Sequence, residues 1–358
     1  MKKIRYAQKS IRYAHKNTLC EYDLSLDFFK ELGIKINDVV PLRKVFLLYT
    51  DEGNKILKKV NYDINRINVI SDSLDYIKKK YSTVIAFDKL KNNLNYIQWK
   101  GNVYVVMDLL KGREATFSNP IEIELCAENI AMLHNASNGL KEYLEKKYSK
   151  NMMDISLKDK FTMSYDNLYN LKEMVSKFKY KNEFDTLFME NVDKYLDEIV
   201  DVNNKIEKSS YTDLRNMEEK ISICHNDLAY HNFLINDRDV NILDFDFMTI
   251  DLRVIDIADF ILKSIKNVAF DINKMILEIN SYEKINKLSL EEKEVLGILI
   301  EFPRDFYSIV DDYYNKRKSW DYDVFLSRLL GKLDNESFRH EFLETYNKML
   351  NEDVSQHK

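Results

Sequence analysis

Four polar side chains at fixed spacing stand out in the chain: His225, Asp227 and Asn232 form H-x-D-x-x-x-x-N, and the apolar run VNIL then leads into the triplet Asp244-Phe245-Asp246. This set suits the transfer of a phosphoryl group to a hydroxyl. Asp227 would orient the hydroxyl and take its proton, with His225 in the same catalytic set holding the loop through its ring nitrogens. Asn232 and Asp244 would offer hard oxygen donors to Mg²⁺, which accepts only a couple of protein ligands and completes its shell with water and phosphate oxygens. Asp246 is placed to reach a second Mg²⁺.

Positioning these residues needs a hairpin. The segments 233 to 236 (FLIN) and 240 to 245 (VNILDF) read as short strands around the turn formers Asn236-Asp237-Arg238-Asp239. Antiparallel pairing would bring Asn232 opposite Asp244, roughly 5 Å away. Asp251 and Asp256 then open the helix-like run IDIADFILKSI. The bland alternative is that these Asp and Asn residues only build turns and caps.

The order of a hydroxyl-orienting aspartate, a metal-ligating asparagine and a metal-ligating aspartate resembles that of kinases. More narrowly, DLAYHNFLI with DFD is similar to the aminoglycoside phosphotransferase and choline kinase superfamily. Together with LIEFPRDFYSIVDDYYNKRKSW and a helical tail, it resembles CotS-type spore coat proteins over about residues 20 to 350. The resemblance implies an α+β, bilobal protein-kinase-like fold with a small antiparallel-sheet N-lobe and a mainly helical C-lobe. It also implies ATP and Mg²⁺, a small-molecule hydroxyl as acceptor, and synthesis in the cytoplasm followed by residence in the endospore coat among other spore coat proteins. For the nucleotide phosphates it selects Lys58 of ILKKV, five residues after Gly53, over its neighbour Lys59. The backbone of Met107, Asp108 and Leu109 falls at the adenine position, and Asp256 matches the helix-start aspartate that bonds the catalytic-loop backbone.

Several departures from active kinases stand beside these matches. No glycine interrupts PLRKV in the first hairpin, so close backbone approach to phosphates is harder there. The helix expected over 64 to 81 offers no glutamate to Lys58, and Asp72 is a weak stand-in. Ala229 stands two residues after Asp227 where kinases often keep a cation, leaving His231 or Arg253 as substitutes. Two readings follow: a phosphotransferase, or a kinase fold kept as a structural part of the coat.

The whole chain sets wider bounds. Its 358 residues, 45% of them hydrophobic, can build ordinary cores, and the net charge of −5 argues against a nucleic-acid partner. No apolar stretch is long enough to span a membrane, and the first residues lack the apolar core of a secretory signal. Cys20, Cys126 and Cys224 are too scattered for a disulfide framework.

The expected organisation is a basic arm at 1 to 20, carrying the near-duplicate IRYAQKS and IRYAHKN, then an N-lobe at 21 to 108 and a C-lobe at 109 to 358 with the loop and hairpin. In the N-lobe a helix ends at Gly33 and a meander of strands follows. Asn119-Pro120 is a helix start, Ser289-x-x-Glu292 a capping box, and Pro303 a break. Asp311, Asp312, Tyr313 and Tyr314 are candidates to line an acceptor site, where acids would favour a cationic substrate.

Overall fold

The computed structural model describes residues 24–42, 45–265 and 270–356. The basic arm, with Cys20, lies outside the described residues. The chain forms two compact units. One takes in the described residues up to Ala115 with Glu142–Lys150 and Tyr230–Met248; the other takes in Thr116–Lys141, Asn151–Ala229 and the described residues from Thr249 onward. The segment from His225 to Asn232 therefore passes from the second unit to the first between Ala229 and Tyr230, and the hairpin expected in the helical lobe packs with the sheet unit.

In the first unit, helix α1 (Leu26–Leu32) is capped by Ser25 and stops at Gly33, whose φ of 75° lets its N–H turn back to the Lys30 carbonyl. Strands β1 (Ile36–Leu42), β2 (Val45–Thr50), β3 (Gly53–Val60), β4 (Ile97–Trp99) and β5 (Asn102–Asp108) make an antiparallel sheet in the order β1-β2-β3-β5-β4. Alternation sorts the faces: Phe46, Leu48, Leu57, Tyr104 and Val106 join Phe28 and Leu32 in one core. Each such buried side chain is worth about 1.5–3 kcal/mol of transfer free energy. Lys58, next to Leu57 in β3, points to the opposite face. Helix α2 (Ile64–Lys78) is capped by Asp63, whose carboxylate accepts the Arg66 N–H at 2.8 Å.

The same unit holds a three-stranded sheet of β6 (Arg113–Glu114), β8 (Phe233–Asn236) and β9 (Asp239–Ile242). Asp237-Arg238 is the turn, with Asp237 at φ 55°. Gly112 runs so close to β8 that a Cβ would sit 3.0 Å from the Ile235 carbonyl oxygen.

The second unit is mainly helical. The long helices α5 (Leu157–Ser176) and α6 (Glu183–Lys208) pack together after α3 (Pro120–Ala136) and α4 (Leu140–Tyr148), the last of which belongs mostly to the first unit. Asn119 caps α3 with Pro120 in its first turn, and α10 (Leu290–Glu301) carries the Ser289/Glu292 capping box. Between them in the chain come the short α7 (Tyr211–Arg215), α8 (Val254–Ile265) and α9 (Ile272–Glu283). Pro303 separates α10 from α11 (Arg304–Tyr314), and α12 (Tyr322–Asp334) and α13 (Glu336–Gln356) close the chain. Strands β7 (Ile221–Cys224) and β10 (Thr249–Leu252) pair antiparallel and lead into the loop that begins at His225 and into α8.

Candidate active site

In the first unit β3 presents Lys58 to the segment after β9. Its Nζ lies 2.6 Å from Asp244 and 2.8 Å from Asp246. Burial works against the charged ammonium, but the two carboxylates outweigh it and hold the Lys58 pKa above its usual value. The carboxylates are themselves open, with side-chain exposures of 41% for Asp244 and 23% for Asp246.

The hairpin differs from expectation at this point. The register sets Phe233 against Ile242, so Asn232 faces Leu243, whose N–H it accepts at 2.8 Å, rather than Asp244. Strand β9 stops at Ile242. Asp244 takes a left-handed conformation (φ 68°, ψ 67°) and residues Phe245–Phe247 form one 3₁₀ turn. Asp244 and Asp246 converge on Lys58 because the chain coils here, not because they share a strand face.

Tyr62 and Arg66 fix that turn, and sequence reasoning missed both. The Tyr62 hydroxyl donates to Asp246 at 3.0 Å, while Arg66 donates to the Asp246 carbonyl at 3.1 Å and to the Met248 carbonyl. Asp72 does not reach Lys58: it accepts from Tyr148 at 2.5 Å and pairs with Lys147 at 2.6 Å. Helix α2 thus supports the site through Arg66 and the backbone of the DFD turn. Asn232 is buried, at 4% exposure. Its amide oxygen and the Asp244 and Asp246 carboxylates are hard oxygen donors of the type Mg²⁺ takes.

In the segment expected beside the adenine, Asp108 pairs with Lys55 at 2.6 Å, and the Leu109 N–H is committed to the Asn54 carbonyl at 2.9 Å. Met107 pairs with Ile56 in the sheet and bridges to Phe87. Leu109 therefore extends the β3–β5 ladder and has no amide to spare for a base.

In the second unit Asp256, with no exposed surface, holds the loop backbone. Its carboxylate accepts the His225 N–H at 2.6 Å and the Asn226 N–H at 2.8 Å, and lies 3.2 Å from His134 Nε2. Asn226 adopts φ 62°, and its side-chain amide donates to Thr249 at 2.9 Å. His225 is fully buried and its Nδ1 accepts the Asp227 N–H at 3.2 Å. It positions the loop and is not accessible to a substrate, which corrects its place in the catalytic set.

Asp227 is partly exposed, and Lys263 of α8 stands 2.5 Å from its Oδ1. Lys263 also lies 2.9 Å from Asp259, which accepts the Leu228 N–H at 2.7 Å and pairs with Arg304 at 2.6 Å. Burial penalises the Asp259 carboxylate, yet the two cations hold its pKa below the usual range. Lys263 thus stands beside Asp227, paired with it and with Asp259. Arg253 does not: its guanidinium is tied to Glu292 at 2.6 Å and to the Lys287 carbonyl at 2.7 Å, inside the unit. His231 is exposed in the first unit.

Of the acceptor candidates, Asp311 bonds Asn167 at 2.8 Å and pairs with Arg317. Tyr313 and Tyr314 pack on Phe184, with Tyr314 donating to Asp185 at 2.9 Å. Only Asp312 lines a cavity near Asp227, together with Lys263.

Residues 29–346 match the family described as "Spore coat putative kinase YutH". Spore coat protein S of Bacillus subtilis (strain 168) is 22% identical over 312 residues, covering 84% of this chain and 86% of that protein. The aminoglycoside phosphotransferase of Alicyclobacillus acidocaldarius superposes with a TM-score of 0.77 at 14% identity, covering 92% of this chain and 97% of its own. Amicoumacin kinase hAmiN gives a TM-score of 0.61 at 15% identity, covering 92% and 96%. Among the described residues no helix is long and apolar enough to cross a membrane. The antiparallel sheet, the helical second unit and these likenesses give a protein-kinase-like fold, and the match over most of its length means that the chain belongs to the YutH family of spore coat proteins.

Proposed function

We propose that this protein is a spore coat-associated phosphotransferase that moves the γ-phosphoryl of ATP to a hydroxyl of a small molecule. Asp227 orients the hydroxyl and accepts its proton as the new P–O bond forms; the bond between the γ-phosphorus and the bridging oxygen breaks, and ADP leaves. Lys58 contacts the phosphates, with the backbone around Met107 and Asp108 beside the base. Asn232 and Asp244 would hold Mg²⁺, with Asp246 as a further ligand. When bound, the metal neutralises phosphate charge. Lys263 aims the Asp227 carboxylate.

The carrying observation is the contact of Lys58 with Asp244 and Asp246, at 2.6 and 2.8 Å. A lysine held between two open carboxylates, one in a left-handed conformation, is a poor packing solution and a good exchangeable one. On arrival of Mg-ATP the ammonium can trade carboxylate for phosphate while the carboxylates trade ammonium for metal, with no charge left unpaired. Relatives of this fold support the ligand classes: amicoumacin kinase was solved with AMP-PNP and Ca²⁺, and spectinomycin phosphotransferase with ADP. The likeness to spore coat protein S supports residence in the endospore coat after cytoplasmic synthesis, among other coat proteins.

Thermal unfolding with and without Mg-ATP is the test. Nucleotide at about a hundred times its Kd should add about 2.7 kcal/mol of stability, a rise of a few degrees. Asp244→Ala should abolish the rise, whereas Asp227→Asn should keep it and lose turnover. No rise with millimolar Mg-ATP sinks the enzyme. A scaffold would then remain, a reading favoured by the glycine-free PLRKV hairpin, and Asp227→Asn protein would enter the coat normally.

A further inference from the structure

A cavity of about 210 Å³ in the second unit lies between α8, α11 and α12, and Lys263, the partner of Asp227, is in its wall. That volume suits a small molecule and is below the range of drug-sized pockets. Cations dominate the wall: Lys263, Arg304, Arg328 and Lys332 against Asp305 and Asp312. Asp305 is already taken by Lys332, and Arg304 reaches out of the wall to the buried Asp259. Arg328 has no carboxylate within ion-pair distance among the described residues; its guanidinium lies over the Trp320 ring, 4.1 Å from the centroid.

We infer that this cavity receives the acceptor, and that the acceptor is a small hydroxylated anion bearing a carboxylate or a phosphate. The inference rests on the phosphotransferase reading and names its substrate class. A cationic acceptor such as an amino sugar or a choline-like amine would meet the unpaired Arg328 guanidinium, and Asp311, one of the two acids expected to attract it, is spent on Asn167 and Arg317. An anion instead finds an unpaired guanidinium fixed on an indole, a flat apolar surface for a ring's C–H face beside a charge-assisted donor. Asp312 accepts from a hydroxyl. Lys263, facing both the cavity and Asp227, links the anion's position to the carboxylate that takes the proton from the reacting hydroxyl.

The test titrates the full-length protein at low salt with glucuronate, glucose 6-phosphate, glucose and glucosamine, read by calorimetry without nucleotide and then by turnover with Mg-ATP. Both anionic sugars should bind about tenfold or more tighter than glucose, with glucosamine weakest, and the preference should shrink as salt is added. Their order separates a carboxylate from a phosphate acceptor. Arg328→Glu, at an exposed position that tolerates the change, should cost the anions about tenfold in affinity and leave Mg-ATP binding unchanged. Glucose or glucosamine binding as well as the anions, or no anion binding up to about 10 mM, overturns the inference. Failure of the phosphotransferase reading looks different: Mg-ATP produces no thermal shift while the anion preference persists.

Discussion

Two lysines do matching jobs in the two units and are built differently. Lys58 lies between Asp244 and Asp246, and Lys263 lies between Asp227 and Asp259, all at 2.5–2.9 Å. The difference is the second carboxylate. Asp246 remains 23% exposed and is held by a tyrosine and the turn, whereas Asp259 is 4% exposed and also accepts a loop N–H and pairs with Arg304. Water or an incoming ligand can replace a partner of Lys58 at little cost, but the network around Lys263 has no such substitute. The sheet unit thus carries an exchangeable ion cluster and the helical unit a fixed one, which in the proposed reaction would serve binding and the aiming of a base.

Asp227→Asn gives the largest expected effect. It should lower turnover by about 10²–10⁴-fold while the Kd for Mg-ATP stays within a factor of about two, because the exchangeable cluster is untouched. Loss of nucleotide binding with loss of turnover would break the division of labour. Next comes Asp259→Ala, which leaves two cations facing a buried gap and strips the Leu228 N–H of its acceptor. Denaturant unfolding should show a loss of about 3–5 kcal/mol.

Glu278 sharpens the contrast within the helical unit, since it is as buried as Asp259 but far less well paired. Burial pushes its pKa up to about 8, and Ser264 and Lys274 pull it back only in part. Below its ordinary value of 4.5 the carboxyl is protonated folded and unfolded, so it contributes no slope. Between 4.5 and about 8 folding takes up a proton, and stability falls as pH rises. Glu278→Gln should remove that slope and raise stability near pH 7 by about 3 kcal/mol, measured as unfolding free energy against pH.

Sequence made the loop legible because its residues are neighbours in the chain, and the hairpin because Asn236 to Asp239 are strong turn formers. It was blind where the deciding contact spans distance or an unusual conformation. Nothing in the spelling of Asp244-Phe245-Asp246 says that a non-glycine residue turns left-handed, so strand β9 seemed to run on and the register slipped by one. Lys263 lies 36 residues from Asp227 and was passed over for Arg253, which is nearer in the chain but locked to Glu292. One signal was available: Asp259 and Lys263 stand four apart on a mostly apolar helix, where a buried ion pair needs a reason. The helix after Pro303 was legible in part, since Asp312 does line a cavity. Its acids and tyrosines read as a substrate surface, but tertiary partners on α5 and α6 claim Asp311 and Tyr314.

The smallest predicted effect is the most exacting for the comparison. Lys58→Met removes the cation from Asp244 and Asp246, leaving two like charges close together, which taken alone argues for instability. Both carboxylates keep access to water, however, and Asp246 keeps its Tyr62 donor, while the methionine spares the burial cost the ammonium carried. These terms nearly cancel, so the unliganded protein should change by less than about 1 kcal/mol. The same variant should lose the stabilisation by Mg-ATP, because the phosphates lose their contact. Lys263→Met, made in parallel, should cost about 2 kcal/mol or more, since Asp259 has no water to turn to. Equal losses at the two sites would mean that the Lys58 cluster is as fixed as the other, and a lysine that cannot leave its carboxylates cannot serve a nucleotide.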